Sequence, residues 1–142
     1  VSVKNGRVLQ NPVRELEAVR KNREEAEEIF RKSNGTKTYE IFAEKIKNNH
    51  FYAVLGEELI LKYSDGEFEM CFQDQKNDSV SAGRKSRRCT VKELLNVRIL
   101  ADVSSVEVFL NDGAQVFSTR YYPEKYSALV EASDAKITFW EL

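Results

Sequence analysis

Leu59-Ile60-Leu61-Lys62-Tyr63-Ser64-Asp65-Gly66-Glu67-Phe68-Glu69-Met70-Cys71-Phe72 is the stretch that decides the fold. On its second arm Phe68, Met70 and Phe72 alternate with Glu67, Glu69 and Cys71, the period of a strand with one buried face. Asp65-Gly66 between the arms is a short turn signal, so the two arms read as an antiparallel hairpin.

Working outward, the same period governs the chain from Thr38 onward. Strands are expected over 38–46, with Tyr39, Ile41 and Ala43 on one face, and over 51–55 after a polar break at Asn48-Asn49-His50. Past a long polar loop, 73–85, they resume over 88–91, 97–102, 106–110, 115–121, 127–132 and 135–141. Many short strands at close turn spacing, with no helix interleaved, argue for an all-β, antiparallel two-sheet β-sandwich, jelly-roll-like. Ahead of it, Asn5-Gly6 is a hairpin signal within a short linker strand. Pro12 followed by Leu16, Val19, Ala26 and Phe30 in a Glu-, Arg- and Lys-rich segment predicts a helix over 13–31, ending near Ser33-Asn34-Gly35. The expected division is a linker, 1–34, and a sandwich domain, 35–142.

The totals bound the rest. A chain of 142 residues makes one domain large enough to bury a core. With 42% hydrophobic and 32% charged residues it is not a disordered chain. A net charge of −1 gives no general attraction to nucleic acid or to an anionic membrane, and no apolar run reaches the ~20 residues of a membrane helix. The chain opens at Val1 rather than Met and reads as a part of a longer parent. Cys71 and Cys89 read as two reduced thiols, and with His50 as the single histidine the usual zinc spacing cannot be assembled.

Candidate chemistry is sparse. Asp102 and Glu107 flank Val103-Ser104-Ser105, which reads as a tight turn bringing their strands together, and glycosidases use two carboxyls roughly 5–10 Å apart. The preferred reading is structural: an Asp before Ser-Ser holds its turn through nearby N–H groups, and Glu107 points away from Val106, Val108 and Leu110. Gly-x-Ser-x-Gly and phosphate-binding glycine loops are both missing. Arg84, Lys85, Arg87 and Arg88 read as a solvated basic loop. Tyr121, Tyr122 and Tyr126 either stack on a sugar or line an edge or interface, while Trp140 is assigned to the core.

One block carries a resemblance. Residues 97–123 run strand, Asp102-Val103-Ser104-Ser105, strand, Asn111-Asp112-Gly113, strand, then Thr119-Arg120 and Pro123. This resembles the C-terminal β-sandwich module of glycoside hydrolase family thirty-two, the invertases, sucrose-6-phosphate hydrolases and levanases. Trp140 matches the family's tryptophan near the end, and Asn5-Gly6-Arg7, Gln10, Pro12-Val13 and Glu15-Leu16 are similar to the family's link between domains. Val103 departs from the family's usual Arg.

The resemblance implies a five-bladed catalytic propeller ahead of this module, in roughly three hundred further residues. In the parent, a retaining mechanism would pass through a covalent fructosyl-enzyme, using an Asp nucleophile and a Glu acid/base on the propeller. The propeller's Asn-Asp-Pro and Arg-Asp-Pro blocks do not occur here, and Asn111-Asp112-Gly113 reads as a hairpin turn. No catalytic, cofactor or metal residue is therefore expected. Asp102, Ser104, Ser105, Glu107, Asn111, Asp112 and Gly113 are expected at structural turns or an interface. The implied partner is the enzyme's own N-terminal propeller domain, with no nucleic acid or membrane partner. The orphan strand within 1–10 is expected to be disordered or to self-associate with another copy. A carbohydrate-binding or oligomerisation module is the alternative, and the expected compartment is cytoplasmic.

Overall fold

The computed structural model describes residues 2–4, 6–10, 12, 14–33, 35–47, 50–73 and 86–142. Alternation sets its architecture. In β4 (Tyr39–Glu44), β5 (Phe51–Leu55), β6 (Leu59–Ser64) and β7 (Glu67–Phe72) every second side chain is buried. The edge strand β8 (Ser86–Thr90) is mostly exposed, and β9 (Val97–Ala101), β10 (Ser105–Leu110) and β11 (Gln115–Arg120) resume the pattern. All pairings are antiparallel, in the order β11-β10-β9-β4-β12-β5-β6-β7-β8, with β3 (Lys21–Lys32) also on β12 (Ala128–Glu141).

A single ladder becomes two layers at β12. Ala128 to Ala132 pair with β5, whereas Lys136 to Glu141 pair with β4. β3 accompanies both halves, and its register slips between Glu131 and Lys136. Glu28 (φ 64) and Asp134 (φ 57) adopt left-handed backbone at this corner, and the Asp134 amide donates to Glu28 Oε1 at 3.2 Å. The bulge swings each half into its own layer. The strands expected over 127–132 and 135–141 are thus one strand bent in its middle.

Between the layers lies one apolar core. Leu61, Ile99, Val108, Ile137 and Phe139 have 0% exposure. Phe139 stacks on Phe30 at 5.1 Å and on Tyr39 at 5.5 Å, and Phe68 of one layer meets Phe117 of the other at 5.4 Å. Beyond β8 and β11, where the ladder ends, side chains join the layers. The Arg87 guanidinium donates to the Ser118 carbonyl, Cys89 Sγ lies 3.3 Å from Gln115 Oε1, and Gln115 Nε2 donates to the Thr90 carbonyl at 3.3 Å.

The N-terminal reading needs one correction. The helix expected over 13–31 is instead a 3-10 helix, Arg14–Val19, followed by strand β3. Glu, Lys, Arg and Ala favour helix locally, but the edge of β12 offers a full row of hydrogen bonds that outweighs that weak preference. Ahead of this, β1 (Ser2–Lys4) and β2 (Arg7–Leu9) pair with each other as a separate two-stranded sheet, rather than lying disordered. The loop expected over 73–85 lies, apart from Gln73, outside the described residues.

Candidate interdomain face

The outer face of β4 and β9 holds the most buried acid among the described residues. Glu40 alternates with the core-facing Tyr39 and Ile41 and so points outward, yet its exposure is 1%. A carboxylate so far from water requires cations beside it. Arg20, just past the 3-10 helix, makes a two-pronged contact: Nε to Oε1 at 2.6 Å and Nη2 to Oε2 at 2.8 Å. Arg98 of β9 donates to Oε2 from the other side. Both guanidiniums also cover rings: Arg20 lies 4.2 Å from the Trp140 centroid and Arg98 4.1 Å from that of Phe42. Hydrogen bonding to Glu40 raises the Arg20 pKa, against the opposing effect of burial. Trp140 therefore sits half-buried on the outer face and is not a core residue.

Two turns at opposite ends of β10 hold most of the residues singled out from the sequence. At one end Asp102 Oδ1 accepts from the Val103 amide at 2.7 Å and from Thr38 Oγ1 at 3.2 Å, while the Asp102 amide donates to the Ser105 carbonyl at 2.8 Å. The Ser104 carbonyl accepts from the Tyr121 amide at 3.1 Å, and Tyr126 Oη donates to the Val103 carbonyl at 2.9 Å. Tyr122 is exposed and Tyr121 fully buried, so the three tyrosines form no common flat platform. The Tyr39 and Tyr121 hydroxyls are buried without a hydrogen-bond partner among the described residues. Burial raises both phenols, that of Tyr121 to about 12.

At the other end Asn111 Oδ1 accepts from the Leu95 amide at 2.8 Å and Asn111 Nδ2 donates to the Glu93 carbonyl at 2.7 Å. The Asp112 amide donates to Asn96 Oδ1 at 3.0 Å, and Asn96 Nδ2 donates to Asp112 Oδ1 at 3.2 Å. Asn111, Asp112 and Gly113 all have positive φ. The Gly113 carbonyl accepts from the Gln10 amide at 2.9 Å. A Cβ at Gly113 would stand 1.9 Å from the Gln10 oxygen, so only glycine lets the N-terminal chain come this close.

Glu107 lies apart from both turns, midway along β10 and cross-strand from Leu100 and Ser118. It lines an open depression of about 340 Å³ with Arg87, Ser105, Ser118 and Arg120. Asp102 is tied into its own turn and is not among the residues that line this depression. Among the described residues no group of three or more His, Cys, Asp or Glu side chains could hold a metal ion. Cys71 and Cys89 are free, and burial raises both thiols. His50 is exposed.

Arg20, Glu40 and Arg98 were not singled out from the sequence. The available signal was Glu40 itself, an acid in a strand whose neighbours Tyr39, Ile41 and Phe42 are all apolar. Its partners, 20 and 58 residues away, become visible only once the strands are paired.

Comparison with known proteins fits this geometry. Over 96% of its length the chain is 25% identical to a sucrose-6-phosphate hydrolase of Bacillus subtilis, covering 30% of that protein. It is 30% identical to one from Escherichia coli over 87% of this chain and 28% of that protein. The chain thus spans less than a third of the length of these relatives. The fold matches part of the structure of sucrose-6-phosphate hydrolase from Lactobacillus gasseri with a TM-score of 0.82, at 16% identity, over 99% of this chain and 32% of that one. Residues 15–141 match the family described as glycosyl hydrolases family 32 C terminal, and the chain belongs to that family.

Proposed function

We propose that this chain is a non-catalytic module that buttresses the N-terminal catalytic propeller of a β-fructofuranosidase acting on sucrose or sucrose 6-phosphate. The observation that carries the reading is the fate of the acids. Asp102 holds its turn through Thr38 and Val103, Asp112 bonds to Asn96, and Glu40 is neutralised by two arginines. Retaining glycoside hydrolysis needs two carboxyls facing one another across a substrate, at about 5 Å. The module's contribution is then mechanical. In that reading the segment ahead of β3 is the connection to the catalytic domain, and the turns at Asp102 and Asn111 shape the surface that meets it. The two free thiols accord with a cytoplasmic parent. No helix of the described residues is long and apolar enough to cross a membrane.

The test compares the chain alone with the chain joined to the catalytic domain. Alone it should release no fructose from sucrose, sucrose 6-phosphate or inulin, whereas joined it should raise the thermal midpoint of the catalytic domain. Fructose release by the chain alone would end the proposal. Saturable binding of those sugars to the isolated chain would favour a carbohydrate-binding module in its place.

A further inference from the structure

The stretch between residues 10 and 20 is fastened to the sandwich at both ends. At the first fastening the Gln10 amide donates to the Gly113 carbonyl at 2.9 Å, on a seat that any side chain at 113 would block. At the second, the Arg20 guanidinium is held between the Glu40 carboxylate and the Trp140 ring. The two use different physics: one is main chain on main chain, the other is charge and ring. Between them Pro12 and Leu16 are half-buried. Phe109, which points outward because it pairs with Arg98 and Val116, is only 6% exposed. A slack tether would have neither fastening, since flexible linkers are solvated coils.

We propose that Gln10 and residues 14–20 form a two-point latch on the sandwich, seated at Gly113 and locked by Arg20 on Glu40 and Trp140, that keeps the chain ahead of β3 from swinging free. The latch stands on this chain alone. Its consequence, that a rigid joint sets how the sandwich meets a catalytic domain ahead of it, rests on the function proposed above.

Trp140 is the single tryptophan of the chain, so its emission reports the lock directly. The experiment is Arg20→Ala in the 142-residue chain, read by Trp140 emission and amide hydrogen exchange. Emission should move to the red, and the amides of Gln10 and of residues 17–20 should exchange roughly tenfold faster, while those of β10 stay unchanged. Arg20→Lys, which keeps the charge and loses the fork, should fall between. Gly113→Ala, the second variant, should free the Gln10 amide and leave Trp140 emission in place. Unchanged exchange at Gln10 and 17–20 in Arg20→Ala would overturn the latch. No catalytic domain is present in this measurement. An intact latch in a module that fails to raise the catalytic domain's midpoint would therefore count only against the buttress.

Discussion

At the scale of the residue, Glu40 decides how the outer face is held. At 1% exposure its charge is tolerated because Arg20 and Arg98 bring two cations and at least three hydrogen bonds to it. Glu40→Ala leaves two half-buried guanidiniums facing one another. Because these are partly solvated, the loss should be roughly 2–3 kcal/mol, below the cost of a fully buried broken pair, and urea unfolding will measure it. Tyr121 makes the opposite case. Its buried hydroxyl has no hydrogen-bond partner among the described residues beyond the neighbouring Tyr39 hydroxyl, so Tyr121→Phe should change stability by no more than about 1 kcal/mol. The pH dependence follows from the same burial. A phenol whose pKa is raised on folding stabilises the native state below its unfolded value of 10.0, and that contribution drains away as pH climbs toward about 12. Wild-type stability should fall between those pH values, and the Tyr121→Phe chain should fall less. Little at this scale was legible beforehand. Asn111-Asp112-Gly113 announces its turn by residue type, but the bonds to Glu93, Leu95 and Asn96 depend on a loop brought over by the fold.

At the scale of the element, β12 is irreplaceable because partners flank it on both sides along most of its length. Ile137 pairs with Ala26 of β3 and with Ala43 of β4. Ile137→Pro should therefore abolish the folded circular-dichroism spectrum. Proline at Arg88, on edge strand β8, should leave a folded chain with a lower midpoint. The strands from Thr38 onward were readable because their buried positions recur every two residues without a break. β3 was not, and its burial explains why. Glu24 and Ala26 are half-buried in step, Glu28 is swung out at the corner, and the period resumes at Phe30 and Lys32. With position 28 missing from the buried face, Ala26 and Phe30 stand four residues apart in a segment of strong helix formers, and a strand's period looks helical. Trp140 was misplaced for a related reason: it is apolar and adjacent to Phe139, and only the pairing with Glu40 shows that it faces outward.

At the scale of the whole molecule, two layers that share β3 and β12 cannot melt one without the other. Far-ultraviolet circular dichroism and Trp140 fluorescence should trace one superimposable transition on heating, and two separate midpoints would disprove the sharing. The same economy leaves a vulnerable place on the opposite side. Where β8 faces β11 the two layers are joined, among the described residues, by hydrogen bonds of the Arg87, Cys89 and Gln115 side chains. No ladder closes that seam among the described residues, and the Ser118 and Thr90 carbonyls there accept from side chains instead. Arg87 and Arg88 stand there as gatekeepers, because an incoming strand would have to displace Arg87 from the Ser118 carbonyl and lie beside two charged, exposed side chains. Neutralising both should therefore leave that edge open to self-pairing, read as a rise in light scattering on incubation relative to the unaltered chain.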